Sequence, residues 1–156
     1  MVTTNHGSAV SLLLLLLFPL LIPKCSSFTW FHYDTVRVNV RNEIEGYHGA
    51  MNMHCRSNDD DLGQRMLRAG EEWEWKFSQS LIKNTHFWCD FRWYNKRDHR
   101  WNEGSVTVYE GNGWYDKYHK LCANHCYYSV RRDGIYLLRA DRHGQWEKRG
   151  TWHSAA

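Results

Sequence analysis

The sequence predicts an all-β fold: a β-sandwich of two antiparallel sheets with about seven or eight strands and two disulfide bonds. Short segments rich in β-branched and aromatic residues alternate between apolar and polar positions, and clusters of turn residues separate them. Helical periodicity is almost absent. Because no strand–helix alternation is visible, two packed antiparallel sheets are favoured over an α/β architecture.

Each predicted strand is defined by its own alternation. In the first, Val36, Val38 and Val40 share one face. In the fifth we place Val106 and Val108 inward, or Thr107 and Tyr109 if the register is reversed. Asp133-Gly134 predicts a two-residue hairpin turn between the last two strands. The predicted strands are residues 35–42, 50–56, 72–78, 86–94, 105–110, 126–132 and 135–139, with 29–33 as a candidate eighth.

Aromatic residues are abundant, with nine Trp and nine Tyr in the chain. Those on the inward strand faces are expected to fill the space between the sheets. They are Trp73, Trp75, Phe77, Phe87, Phe91 and Trp93. Others lie off those faces or in loops, where some are candidates for partner recognition. These are Trp88, Trp101, Trp114, Trp146 and Trp152.

Residues 1–27 are predicted to be a secretory signal peptide. The apolar run from Leu12 to Ile22 is shorter than the roughly 20 residues of a membrane-spanning helix. It fits the apolar core of a signal peptide, which is about 7–15 residues long, and the small residues up to and including Ser27 suit cleavage after Ser27. We therefore expect a secreted protein whose residues 28–156 form one domain without a membrane span.

Cysteine usage supports export. Cys25 leaves with the signal peptide, and an even set remains in the mature domain: Cys55, Cys89, Cys122 and Cys126. Such a set in a small exported chain predicts two disulfides. Three connectivities are open, and the short spacing of the last two cysteines favours bridges to other elements, Cys55–Cys126 and Cys89–Cys122. A zinc site formed with nearby histidines is disfavoured by the oxidising route.

The charge balance argues against nucleic-acid binding. Without Lys24, 19 basic residues face 17 acidic ones, counted from the totals of 20 and 17, and no clustered basic footprint appears. Ten histidines raise the alternative of a secreted ribonuclease-like enzyme. They are scattered near cysteines and strand ends, and no nucleophile elbow, phosphate loop or zinc-protease motif is present. We therefore expect a binding protein without catalytic residues, metal or cofactor.

The segment from His54 to Gly63 reads His-Cys-Arg-Ser-Asn-Asp-Asp-Asp-Leu-Gly. It closely resembles the hallmark motif of the plant self-incompatibility proteins, the S-protein homologues. The agreement extends, in order, over about residues 34–138. It includes the valine strand ending at Asn42, Gly70, Thr85-His86-Phe87-Trp88-Cys89, the pair Cys122 and Cys126, and Asp133-Gly134-Ile135-Tyr136. The resemblance implies a secreted plant signalling ligand that binds a cell-surface receptor, in rejection of self pollen or in development.

The acidic run Asp59, Asp60 and Asp61 allows two interpretations. Consecutive carboxylates lack the spaced ligand pattern of a calcium loop. A solvated turn whose acids accept backbone N–H groups, or cap a short helical turn over residues 62–67, is favoured. In either case, the loop is a candidate contact surface.

Loops are where we expect the partner to bind, since a sandwich presents them on a rigid frame. The candidate loops are residues 58–61, 95–102, 111–117 and 141–145. The candidate binding residues are Asn58, Asp59, Asp60, Asp61, Lys96, Arg97, Arg100, Trp101 and Trp114. The expected partner is a cell-surface receptor or another extracellular protein. The alternative is a cell-wall glycan bound by a carbohydrate-binding or defence protein.

Overall fold

Two five-stranded sheets pack on one hydrophobic core in the structure, a computed structural model that describes residues 35–46, 49–79, 84–111 and 117–155. The elements are β1 (Thr35–Asn42), β2 (Ala50–Ser57), β3 (Asp61–Arg68), β4 (Glu72–Ser78), β5 (Thr85–Asn95), β6 (Arg100–Gly111), helix α1 (Lys117–Cys122), β7 (His125–Arg131), β8 (Gly134–Arg139), the 3₁₀ turn η1 (Ala140–Arg142), β9 (Gln145–Gly150) and β10 (His153–Ser154).

The chain alternates between the two sheets. The first sheet has the order β4-β1-β7-β8-β9, and the second has the order β10-β6-β5-β2-β3. The predicted sandwich is thus confirmed, with one difference: β1 pairs in parallel with β7. A parallel pair needs a long crossover, and here the chain runs through the second sheet before it returns as β7.

Six of the seven predicted strands agree with the observed ones to within one residue at each end, whereas β6 begins at Arg100 rather than at the predicted residue 105. Three strands were missed: β3, β9 and β10. The helical turn considered for residues 62–67 is wrong, because these residues lie in β3. β3 is an edge strand on which Leu67 is the buried residue, so its sequence shows little alternation. The candidate strand at residues 29–33 lies outside the described residues.

The inward faces form the predicted aromatic and aliphatic core. Val36, Val38 and Val40 are fully buried, while Trp73 and Phe77 pack partly buried against the core's edge. In β6, Val106 and Val108 point inward as predicted. Tyr109 and Phe77 also meet there, with ring centroids 4.9 Å apart. A β-bulge in the β5–β6 pairing lets Val108 and Tyr109, adjacent in sequence, both face the core.

The disulfide connectivity predicted from the sequence is wrong. The bonds are Cys55–Cys89 and Cys122–Cys126. Cys55 and Cys89 are direct partners in the β2–β5 register, with Cα atoms 4.0 Å apart. Cys122 ends α1, and the turn after it brings Cys126 at the start of β7 within 4.8 Å, Cα to Cα. The short spacing therefore closes a local loop, whose contribution in the chain-entropy model is about 2 kcal/mol, against about 4 kcal/mol for the longer loop.

Asn42, the asparagine that ends β1, joins three segments. Its buried side chain donates to Leu67 O (2.8 Å) and accepts from the Ile44 N–H (3.1 Å). Its backbone bonds to Glu71 O and to the Gly70 N–H. This one residue thus satisfies the polar groups where β1 leaves its sheet and where β3 turns into β4.

A polar network fastens the C-terminal segment to the rest of the domain. Arg139, which is 7% exposed, donates to both carboxylate oxygens of Asp141 and also to Glu147. Arg149 donates to Glu147 (2.9 Å) and to the Tyr118 hydroxyl (3.1 Å). The hydrogen bond from Arg149, helped by the charges of the neighbouring arginines, lowers the pKa of Glu147. The network therefore stabilises the ionised form of this carboxylate.

The observed disulfides can be tested by a non-reducing tryptic peptide map. Cleavage after Lys and Arg places Cys55 in peptide 42–56, Cys89 in 84–92, and both remaining cysteines in 121–131. We expect peptides 42–56 and 84–92 to be linked, and peptide 121–131 to carry an internal bond, detected by mass spectrometry as a loss of two hydrogens. A link between 121–131 and either other peptide would contradict the structure.

The Arg139 network predicts how stability depends on pH. The pKa of Glu147 is lowered in the folded protein from the ordinary glutamate value of 4.5. The ionised carboxylate therefore contributes fully to the free energy of unfolding above pH 4.5, and this contribution is lost as the pH falls through the pKa of the folded state. We expect Glu147→Gln to lower the free energy of unfolding at pH 7 by about 1–2 kcal/mol. The difference from the wild type should shrink below about pH 4 in thermal melts.

The matched control is Glu45→Gln, which removes an exposed glutamate that has no ion pair within the described residues. It should melt like the wild type at every pH. A gap between Glu147→Gln and the wild type that stays constant down to pH 2 would show that the carboxylate charge does not carry the effect.

Candidate functional site

The motif at residues 54–63 builds the turn between β2 and β3. The Ser57 hydroxyl accepts the N–H groups of Asp59 (3.3 Å) and Asp60 (2.9 Å). Asp61 Oδ1 lies 2.6 Å from His54 Nε2 and accepts the Gly63 N–H at 2.8 Å. The hydrogen bond with His54, and after it the hydrogen bond from the Gly63 N–H, lower the pKa of Asp61. The interpretation as a turn whose acids accept backbone N–H groups is therefore confirmed for Asp61.

Gly63 explains the last residue of the motif. It has a φ of +74° and lies at the irregularity in the β2–β3 pairing. A glycine in the left-handed region is the usual first residue of one common type of β-bulge. The bulge keeps Asp61 beside His54 while the strand continues. The motif thus encodes a rigid turn that exposes Asp59 and Asp60 to solvent.

The predicted 95–102 loop is a tight hairpin tip. β5 continues to Asn95 and β6 begins at Arg100, so only residues 96–99 form the turn. The buried Asn95 side chain holds the turn by donating to Asp98 (2.7 Å) and accepting the Arg97 N–H (3.1 Å). Lys96 and Arg97 are exposed, and within the described residues neither side chain has an acidic partner.

Trp101 stands beside this tip on the outer face of the second sheet. It is 38% exposed, one of the two large apolar side chains most exposed among the described residues. Arg92 lies over its ring at 4.5 Å, and Tyr94 meets it edge-on at 5.3 Å between ring centroids. The tip therefore combines unpaired positive charge with an exposed aromatic ring.

The acidic turn between β2 and β3 and the basic tip of the β5–β6 hairpin do not form one surface. Ser57 pairs with Phe87 near the start of β5, whereas the basic tip follows Asn95 at its end. The intervening strand spans roughly 25 Å. The acidic turn and the basic tip are therefore separate patches at opposite ends of the second sheet.

The remaining candidate residues lie either outside the described part of the chain or in contacts that stabilise the fold. Trp114, with most of the 111–117 loop, lies outside the described residues. In the 141–145 loop, Asp141 is held by Arg139 and is therefore part of the structural network described above. Trp152 packs against Trp93 at 6.0 Å between ring centroids and donates to Arg131 O at 3.0 Å, which anchors the C-terminal tail.

A groove on the outer face of the second sheet was not predicted. It encloses about 610 Å³ and runs across β2, β5 and β6, with the edge strands β3 and β10 at its two ends. Its polar lining is formed by Asn52, His54, Gln64, Asp90, Arg92, Glu103, Ser105 and His153. Because Phe87, Phe91 and Trp93 face inward on β5, alternation places Asp90 and Arg92 on the opposite face, but only the sheet order brings them beside residues of the other strands.

The described residues show neither a metal-binding cluster nor a membrane-spanning helix. They hold no group of three or more His, Cys, Asp or Glu side chains arranged to bind a metal ion. Likewise, none of the helices among them has the length and apolar character needed to cross a membrane.

Comparison with known proteins supports one family. The S-protein homolog 13 of Arabidopsis thaliana is 31% identical over 120 residues, covering 72% of this chain and 73% of that protein. S-protein homolog 2 of the same plant is 30% identical over 62% of this chain and 56% of its own length. The self-incompatibility protein S1 of Papaver rhoeas is 25% identical over 78% of each chain. The chain thus spans between about half and three quarters of these relatives' lengths.

The fold agrees with a solved structure of self-incompatibility protein homologues, whose description is of small, highly stable, secreted plant proteins. The superposition covers 79% of this chain and 98% of the other, with a TM-score of 0.56 and 22% sequence identity. The family model for plant self-incompatibility protein S1 matches residues 37–152, nearly the whole described domain. This chain therefore belongs to the plant self-incompatibility protein S1 family.

Proposed function

We propose that this protein is a secreted ligand that binds a receptor or another protein at a plant cell surface through the tip of the β5–β6 hairpin. Residues 1–27 would be removed as a signal peptide on export, and residues 28–156 would form the mature ligand. Family membership supports secretion, because the relatives of solved structure are described as secreted plant proteins.

The observation that carries the proposal is the unpaired charge of the hairpin tip. Lys96, Arg97 and Arg100 face a single acid there, Asp98, which lies 3.8 Å from the Arg100 guanidinium. Long-range attraction from such a patch raises the rate at which an acidic partner surface is encountered. The tip is also pre-organised by Asn95, so little conformational entropy is lost when it binds.

Trp101 supplies the apolar part of the same surface. Tryptophan and arginine are enriched among the residues that dominate binding energy at protein interfaces. The ring is already oriented by Arg92 and Tyr94. A complementary partner would therefore present a carboxylate-rich rim around an apolar depression.

The test uses the fluorescently labelled mature protein and plasma-membrane vesicles from pistil, leaf and root. We expect saturable binding to vesicles of at least one tissue. Trp101→Ala should weaken it about tenfold or more. The double variant Lys96→Glu/Arg97→Glu should weaken it by a similar factor and flatten its dependence on salt.

A charge-matched control is Lys117→Glu/Lys120→Glu, which makes the same change on the exposed face of α1. It should bind like the wild type. Vesicle binding that survives both tip variants, or that disappears equally in the α1 variant, would contradict a role for the tip. Pistil-restricted binding would favour pollen rejection, and binding to other tissues would favour a developmental role.

A further inference from the structure

We infer that the groove on the outer face of the second sheet is a binding site for neutral oligosaccharides. It adjoins the hairpin tip at Trp101 but contains none of the tip's basic residues Lys96, Arg97 and Arg100. Its floor is formed by outward side chains of the three central strands, with Asn52 and His54 on β2, Asp90 and Arg92 on β5, and Ser105 on β6. A concavity of about 610 Å³ on a rigid sheet is of the size that small-molecule sites have.

Each carboxylate and guanidinium that lines the groove forms an ion pair, either inside the groove or with a neighbour outside its lining. Arg92 Nε lies 2.9 Å from Glu103, and Asp90 accepts a hydrogen bond from Arg56. Both pairs lie across neighbouring strands of the sheet. The groove therefore has almost no net charge, which disfavours phosphate, sulfate or uronic-acid ligands. Pairing also fixes the side chains before a ligand arrives.

Hydrogen-bonding capacity remains after this pairing. Each paired carboxylate keeps further lone pairs, and a guanidinium keeps further N–H groups. Among the described residues, the side chains of Asn52, Gln64 and Ser105 have no hydrogen-bond partner in the folded chain. Amide and hydroxyl groups both donate and accept. These groups match the adjacent hydroxyls of a sugar, each of which can also donate and accept hydrogen bonds.

Aromatic rings flank the groove along β5 and β6. Trp88 stands at one side, with Arg56 5.8 Å from its ring centroid, and Trp101 stands at the other. Both rings belong to the outer face, since their pairing partners Thr107 and Tyr94 lie there. Sugar rings present C–H faces that pack on such aromatic surfaces while their hydroxyls reach polar groups. An extended oligosaccharide crossing the strands would meet both kinds of contact.

The experiment is isothermal titration of the folded, disulfide-bonded protein with cellohexaose, mannohexaose and xylohexaose. We expect saturable binding of at least one probe, with a dissociation constant in the micromolar to millimolar range. Asn52→Ala/Gln64→Ala should weaken it about tenfold, the equivalent of about 1.4 kcal/mol. Ser105→Trp should abolish binding by filling the groove.

The matched control is Asn84→Ala, which removes a side-chain amide from an exposed position outside the groove. It should bind as the wild type does, and thermal melts and the tryptic map verify that all variants fold. The inference is overturned if no neutral probe saturates, if oligogalacturonate binds more tightly than all of them, or if the groove variants bind normally.

These outcomes are distinguishable from failure of the proposed receptor role. Lys96→Glu/Arg97→Glu should lose vesicle binding and keep oligosaccharide binding, because its charges lie outside the groove. Asn52→Ala/Gln64→Ala should show the reverse. Loss of oligosaccharide binding in the tip variant alone would assign the glycan site to the tip and overturn the groove.

Discussion

The architecture depends on the position of β1 between β4 and β7. Its three valines are fully buried on the core side, and its backbone pairs antiparallel with β4 and in parallel with β7. One strand thereby ties an early segment of the domain to a late one. The parallel pairing can form only after the chain has run through the second sheet, so the order of the first sheet depends on contacts between distant parts of the chain. Asn42 then fixes the point at which the chain leaves the first sheet.

The two disulfides act on different parts of this frame. Cys55–Cys89 joins neighbouring strands at the centre of the second sheet, beneath the outer groove and between the acidic turn and the basic tip. Cys122–Cys126 fastens α1 to β7 where the chain returns to the first sheet. Each bond therefore secures a region next to an exposed surface.

Polar chemistry is divided between structure and recognition. The Arg139 network and the His54–Asp61 pair satisfy their own charges and stabilise the frame. At the hairpin tip, by contrast, cations outnumber acids, and Lys96 and Arg97 have no acidic partner within the described residues. The groove lies between these extremes, with paired charges and unused amide and hydroxyl groups. We expect the tip to attract its partner by charge and the groove to select by hydrogen-bond geometry.

The sequence by itself determined the sandwich, most strand positions, the inward aromatic residues and the family motif. Alternation reports which residues leave water, and that is a local property of each strand. It also placed Lys96, Arg97 and Trp101 on or beside a hairpin, because the charged stretch separates two clear strands. It failed for β3, whose edge position buries little, and for β9 and β10, which the tail sequence did not reveal.

Only the tertiary structure decided the disulfide pairing, the parallel β1–β7 contact, the separation of the two loops and the existence of the groove. Each depends on which strands are neighbours and in which register, and residues distant in sequence determine that through packing. Cys55 meets Cys89 because β2 pairs with β5 in one register. Asn52, Asp90 and Ser105 line one groove for the same reason. A strand's pattern gives the face of a residue, but its neighbours across the sheet are fixed only when the whole domain folds.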